Sequence, residues 1–134
     1  MLIYCAHRYG GKTENKSEAT RKLQKLQLED PKHTYLSPIH ALGHSYSKLD
    51  YDTGMELCYD VLRHCDMMLV LSSPSEGVCR EIRYAREHGI SVRYWTRRIR
   101  SYYRQLDPQY TLTERTDTWD EVLEKLRALG GDAV

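Results

Sequence analysis

The stretch from Met67 to Trp95 constrains the fold most. The apolar run Met67-Met68-Leu69-Val70-Leu71 reads as a buried strand. A Ser/Pro/Gly turn follows, and the spacing predicts a helix from about Gly77 to His88. Gly89 and a second strand, Ile90 to Trp95, come next. In a parallel sheet this turn sits at the carboxyl end of a strand, where open α/β folds bind ligands.

Ser75 and Gly77 at the helix start can present free backbone N–H groups to an anion. Glu81 falls one helical turn further on, among the apolar positions Val78, Ile82 and Ala85. An anion-ready helix start beside one carboxylate suits a phosphorylated substrate. The alternative is that Ser75 is only an N-cap and Glu81 an exposed helix residue.

The remaining chain extends the alternation. Leu2 to Ala6 is a first strand, ending in His7-Arg8-Tyr9-Gly10-Gly11-Lys12, where Gly-Gly permits close backbone approach to a ligand. Asn15 and Glu18 have capping-box spacing for a helix from Lys16 to Glu29. His33 to Ser37 is a second strand, and Pro38 to Asp50 reads as a loop. Thr53 and Glu56 have capping-box spacing for a helix from Gly54 to Cys65. Thr118 and Glu121 do the same for a last helix, with Trp119, Val122, Leu123, Leu126 and Leu129 on one face and Gly130-Gly131 as its stop. The order β-α-β-α-β-α-β predicts an α/β fold: a parallel sheet of four or five strands with helices on both faces. One domain is expected over residues 1–134. It divides into an α/β core at 1–95, a basic aromatic loop at 96–116 and a C-terminal helix at 117–130.

Composition excludes several classes. A formal net charge of +1 argues against duplex DNA or an anionic membrane as a bulk electrostatic partner. No stretch approaches the ~20 apolar residues of a membrane span, and the start is too short an apolar run for a signal peptide. The four Cys have no C-x-x-C spacing, so no zinc site or disulfide framework is signalled, and buried thiols fit a reducing cytoplasm. His40 and His44 stand four apart but lack a third ligand, so no metal or other cofactor is expected. Eight Arg lie between Arg80 and Arg104, interleaved beyond Arg93 with Tyr94, Trp95, Tyr102 and Tyr103. Such a mixture suits a protein interface or single-stranded nucleic acid, and the near-zero net charge favours the interface.

Two segments resemble a family. Cys5-Ala6-His7-Arg8-Tyr9-Gly10-Gly11 is similar to the first strand and Gly-Gly loop of the nucleoside 2-deoxyribosyltransferase superfamily. Its nearest likeness there is to the 2′-deoxynucleoside 5′-phosphate N-hydrolases and to related small phage and bacterial proteins of unknown function. Cys65 to Val70, then Ser75-Glu76-Gly77-Val78-Cys79-Arg80-Glu81-Ile82-Arg83-Tyr84-Ala85, resembles that family's strand, S-x-G-V-x-x-E turn and following helix. The likeness covers Met1 to Trp95.

The resemblance implies a flavodoxin-like or Rossmann-like sheet and a homodimer or higher homo-oligomer. It implies cleavage or transfer at the N-glycosidic bond of a nucleoside or nucleoside 5′-monophosphate. Glu81 would match the nucleophile. Ser75 and Gly77, with Val78 beside them, would hold a 5′-phosphate or 5′-hydroxyl. Gly10 and Gly11, with Ala6 and Tyr9, would wrap sugar and base. The family's catalytic aspartate falls at Cys58, and the candidate to protonate the leaving base is His7 or an acid of the Asp50–Asp60 segment, Asp60 first among Asp50, Asp52, Glu56 and Asp60. Two other readings use the same scaffold: a nucleotide-binding sensor or interaction module without turnover, and an NAD glycohydrolase.

Overall fold

A computed structural model describes residues 1–46, 48–106 and 118–128 of the chain, without the side chains of 125–127. Four strands form one parallel sheet: β1 (Leu2–Ala6), β2 (Thr34–Leu36), β3 (Met67–Val70) and β4 (Ser91–Tyr94), in the order β2-β1-β3-β4. From β1 the chain first builds outward to β2, then crosses back to β3 and β4. The order therefore reverses between β1 and β3, and a crevice opens at their carboxyl ends.

Around the sheet lie α1 (Thr13–Glu29), α2 (Pro38–Ala41), α3 (Gly43–Tyr46), α4 (Tyr51–Arg63), α5 (Glu76–Glu87), α6 (Arg97–Leu106) and α7 (Trp119–Ala128). Strand alternation sorts the core into two layers. Tyr4, Ala6, Met68, Val70, Val92 and Tyr94 face α4, α5 and α6, where they meet Cys58, Leu62, Val78, Ile82 and Tyr103. Ile3, Cys5, Met67 and Leu69 face the other way, onto Leu26 of α1 and Trp119 and Leu123 of α7. The four cysteines are free thiols. No helix among the described residues is long and apolar enough to cross a membrane.

Helix starts were the least regular feature. Ser75 caps α5, its Oγ accepting from Val78 N at 3.3 Å. Thr118 and Glu121 form a reciprocal box: Thr118 N donates to Glu121 Oε2 at 2.8 Å and Glu121 N to Thr118 Oγ1 at 3.4 Å. The other two expected boxes are corrected. Gly10 and Gly11 take φ values of +57° and +73°, which turn Lys12 N onto Tyr9 O at 3.0 Å. Helix α1 therefore starts at Thr13, and Asn15 instead donates from its side chain to Tyr9 O at 3.0 Å. At α4 the cap is Asp50, which accepts from Thr53 N at 2.8 Å and Thr53 Oγ1 at 2.9 Å. A carboxylate accepts these more strongly than a hydroxyl would.

Two stretches read as loop are helical. Within Pro38 to Asp50, Ser37 caps α2 and Pro38 occupies its first turn, a favoured proline position. Within 96–116, residues Arg97–Leu106 form α6, because Ile99 and Tyr103 stand four apart and bury together on the sheet. Residues 107–116, the side chain of Leu126, Leu129 and the Gly130-Gly131 stop lie outside the described residues.

Trp119 is fully buried, with its ring edge-on to Tyr35 and His33. It anchors α7 over β1 and β2. Trp119→Ala should lower unfolding free energy by about 3–5 kcal/mol, the usual cost of truncating a buried large aromatic. Denaturant titration of the two proteins measures it.

Candidate active site

The crevice between β1 and β3 holds a cleft of about 640 Å³, within the range of small-molecule sites. Its walls come from loops at the carboxyl ends of the strands. The Gly-Gly loop supplies His7 to Lys12. Pro38, Ile39 and Tyr46 come from α2 and α3, Asp50, Tyr51, Gly54, Met55 and Cys58 from α4, and Ser75 to Val78 and Glu81 from α5.

Glu81 is the buried acid of the cleft. It is 6% exposed and shares the inner face of α5 with Val78, Ile82 and Ala85. Tyr4 Oη donates to its Oε2 from the middle of β1. Among the described residues no hydrogen bond is made to Oε1. Burial pushes the carboxyl up to about 7, and the Tyr4 hydrogen bond pulls the other way. Two arginines stand near Glu81 in the sequence, Arg80 and Arg83. Arg80 pairs with Glu76 at 3.0 Å and Asp52 at 3.7 Å, and Arg83 is exposed.

Cys58 stands beside this pair. Burial, then the Glu81 charge, push its thiol up to about 12, while the Tyr4 and Tyr46 hydroxyls pull the other way. Burial likewise raises the phenols of Tyr4 and Tyr46. Tyr46 packs over Gly54, where an added Cβ would sit 3.4 Å from its ring. Tyr9 stands across from Tyr46, with ring centroids 6.2 Å apart at 48°.

His7 lines the cleft, yet both ring nitrogens face protein atoms: Nδ1 lies 3.0 Å from Arg8 O and Nε2 2.8 Å from Ser37 Oγ. Burial is the main cause that lowers it to about 4. Ser37 Oγ also lies 2.9 Å from His40 Nδ1, so His40 braces α2.

The expected site residues His7, Tyr9, Gly10, Gly11, Ser75, Gly77, Val78 and Glu81 thus share one cleft. Ala6 closes β1 behind it, 1% exposed. Asp60 is corrected. It lies on the outer face of α4, paired with Arg63 at 2.7 Å, because two residues on from Cys58 is the opposite side of a helix. Sequence reasoning missed Tyr4 and Tyr46. The available signal for Tyr4 was a phenol alternating onto the same face as Ala6.

No family model matches the sequence, and no curated protein sequence matches it. Among solved structures, a 2-deoxyribosyltransferase from Leishmania mexicana has a similar fold. The TM-score is 0.53 at 18% identity, over 70% of this chain and 63% of that one. This chain therefore has the nucleoside 2-deoxyribosyltransferase-like fold, and spans under two thirds of that enzyme's length.

The raised Glu81 pKa carries a stability cost with a definite sign. Below 4.5 the group is protonated folded and unfolded, and there is no penalty. As pH rises through about 7 the buried carboxyl ionises late, and its contribution is lost. The difference between 7 and 4.5 corresponds to roughly 3 kcal/mol at about 1.4 kcal/mol per pH unit. Glu81→Gln should therefore gain stability over the wild type by about that amount between pH 4 and pH 8. Denaturant unfolding at the two pH values measures the change.

Proposed function

We propose that this chain breaks the N-glycosidic bond of a nucleoside or nucleoside 5′-monophosphate, with Glu81 as nucleophile. The observation that carries the reading is a buried carboxylate, oriented by one phenol, in a ligand-sized cleft at the sheet's switch point. The fold it shares with a 2-deoxyribosyltransferase is consistent with it.

Cleavage at C1′ passes through an oxocarbenium-like state. A carboxylate beneath C1′ stabilises the developing positive charge, and it can form a glycosyl ester that water or a second base then opens. Tyr4 holds one oxygen and leaves the other for C1′. At the start of α5 the Ser75 oxygen is occupied by Val78 N, but its hydroxyl proton remains available to an anion beside the Gly77 amide. A Cβ added at Gly77 would make only ordinary contacts, 3.6 Å from the Tyr51 hydroxyl and 3.7 Å from Met55 Sδ.

The test is base release from a panel of nucleosides and nucleotides, followed by chromatography. Glu81→Gln should keep the fold and lose several orders of magnitude in turnover, since it removes a transition-state interaction. For the wild type, kcat/KM should rise with pH through about 7 and then level, because the reactive form is the anion. Tyr4→Phe removes a donor that favours that anion, so the ascending limb should move to higher pH. A limb unmoved in Tyr4→Phe argues against Glu81 as the titrating group.

Ser75→Ala tests the anion subsite. Nucleotide affinity should fall about ten- to hundredfold, as for a lost hydrogen bond to a charged group. Affinity for the matching nucleoside should hold. The binding-module reading draws on Cys58, a neutral thiol where the resembled family carries an acid. Saturable nucleotide binding with no base released from any compound would favour it.

A further inference from the structure

We infer that the leaving ring in this site is already a cation, a pyridinium-type or otherwise quaternised nitrogen heterocycle on C1′; this rests on Glu81 being the nucleophile.

The argument begins with electrons. When an uncharged base leaves, it takes the pair of the C1′–N bond and departs as an anion unless an acid protonates it. The cleft is poor in such acids among the described residues. Both nitrogens of His7 are turned to Arg8 O and Ser37 Oγ. Asp50 accepts from Thr53 N and Oγ1, bonds that hold it below the usual carboxylate range, so it stays an anion. Cys58 and the Tyr46 phenol keep their protons far above neutrality. Asp60 is on the outside of α4. Lys12 is exposed on the Gly-Gly loop. Glu81 can carry a proton only by ceasing to be the nucleophile.

A cationic ring needs no acid. The Glu81 carboxylate attacks C1′, a C–O ester bond forms and the C1′–N bond breaks. Its electron pair cancels the positive charge on nitrogen, and the heterocycle leaves neutral. Water then opens the ester: its oxygen bonds to C1′, one proton goes with Glu81 as it departs, and that proton is lost to solvent. The first step turns an ion pair into two neutral species. Burial with a single hydrogen-bond donor raises the energy of the Glu81 anion, and this step relieves it. With an uncharged base the same ester forms, but the negative charge passes to the departing base and stays in the cleft.

The walls agree with a cationic occupant. Tyr9 of the Gly-Gly loop and Tyr46 of α3 both line the cleft, with ring centroids 6.2 Å apart, and aromatic rings attract cations. Tyr51, also in the wall, already carries the Arg80 guanidinium 5.1 Å from its centroid.

The experiment uses the purified full chain and matched pairs. Nicotinamide mononucleotide is set against its uncharged dihydro form, and 7-methylguanosine against guanosine. Each rate of base release is divided by that compound's own uncatalysed rate. A positioned acid contributes about 10²–10⁴-fold, so the enhancement for the cationic members should exceed that for their partners by at least about a hundredfold. The pH profile on nicotinamide mononucleotide, whose pyridinium ring has no proton to lose, should show an ascending limb and no descending one. Equal enhancement within pairs, or a descending limb, overturns the inference. If Glu81→Gln is then inactive on both members, the nucleophile reading still stands. If the wild type releases no base from any of the four, both fall. The two pairs also separate a pyridinium site from one for quaternised purines.

Discussion

The hydrogen bond from Tyr4 to Glu81 joins the first strand to the helix after the third. It exists because β1 and β3 are neighbours in the sheet, with Tyr4 opposite Met68. Strand alternation turns Tyr4 to the α5 layer, and helical spacing turns Glu81 to the same layer with Val78 and Ile82. A buried carboxylate with no partner would be too costly to keep ionised. One phenol lets it ionise near neutral pH while leaving an oxygen for a ligand. Ala6 follows Tyr4 on its strand face, and the Tyr46 ring packs over Gly54.

Burial acts on every titratable group of the inner cleft, with different results for acids and bases. Acids are pushed up, so Cys58 and Tyr46 stay neutral and Glu81 titrates near 7. A base is pushed down, so His7 is uncharged. At neutral pH the inner cleft therefore carries one titrating charge, on Glu81. The other acidic and basic side chains of the wall, Arg8, Lys12, Asp50 and Glu76, stand at the exposed rim. An acid at position 58 would have put two carboxyls in contact and driven their pKa values apart. The thiol avoids that coupling.

The sheet and α5 were legible in the sequence because several signals agreed: an apolar run, a serine cap, helical spacing and a glycine stop. Glu81 was legible from its place among Val78, Ile82 and Ala85. Where signals competed, local spacing misled. Asn15 and Thr53 sit three residues before acids, but the Gly-Gly turn and Asp50 set those helix starts instead. Asp60 was near Cys58 in sequence and across the helix in space. Tyr4 was hidden because a buried strand reads as uniform core, and its partner lies 77 residues away. Tyr46 was hidden in a stretch whose short helices depend on Ser37 and on packing against α4.

The basic aromatic stretch shows how a segment outside the resemblance still shapes the site. Its aromatics divide by helical face. Tyr103 packs on Tyr94 at 5.6 Å within the core, while Tyr102 stays outside with Arg98 over its ring. Tyr103 Oη donates to Ser72 O at 3.1 Å, and Ser72 Oγ accepts from Arg8 N at 2.8 Å. Helix α6 thus braces the turn after β3, and that turn holds the Gly-Gly loop on its other side. Arg97 Nε donates to Glu121 at 2.8 Å, tying α6 to α7. The position of Ser75 relative to Gly10 and Gly11, and with it the width of the cleft, is therefore set in part by residues beyond Trp95. An interface on the outer face of α6 would act on the site through this same brace.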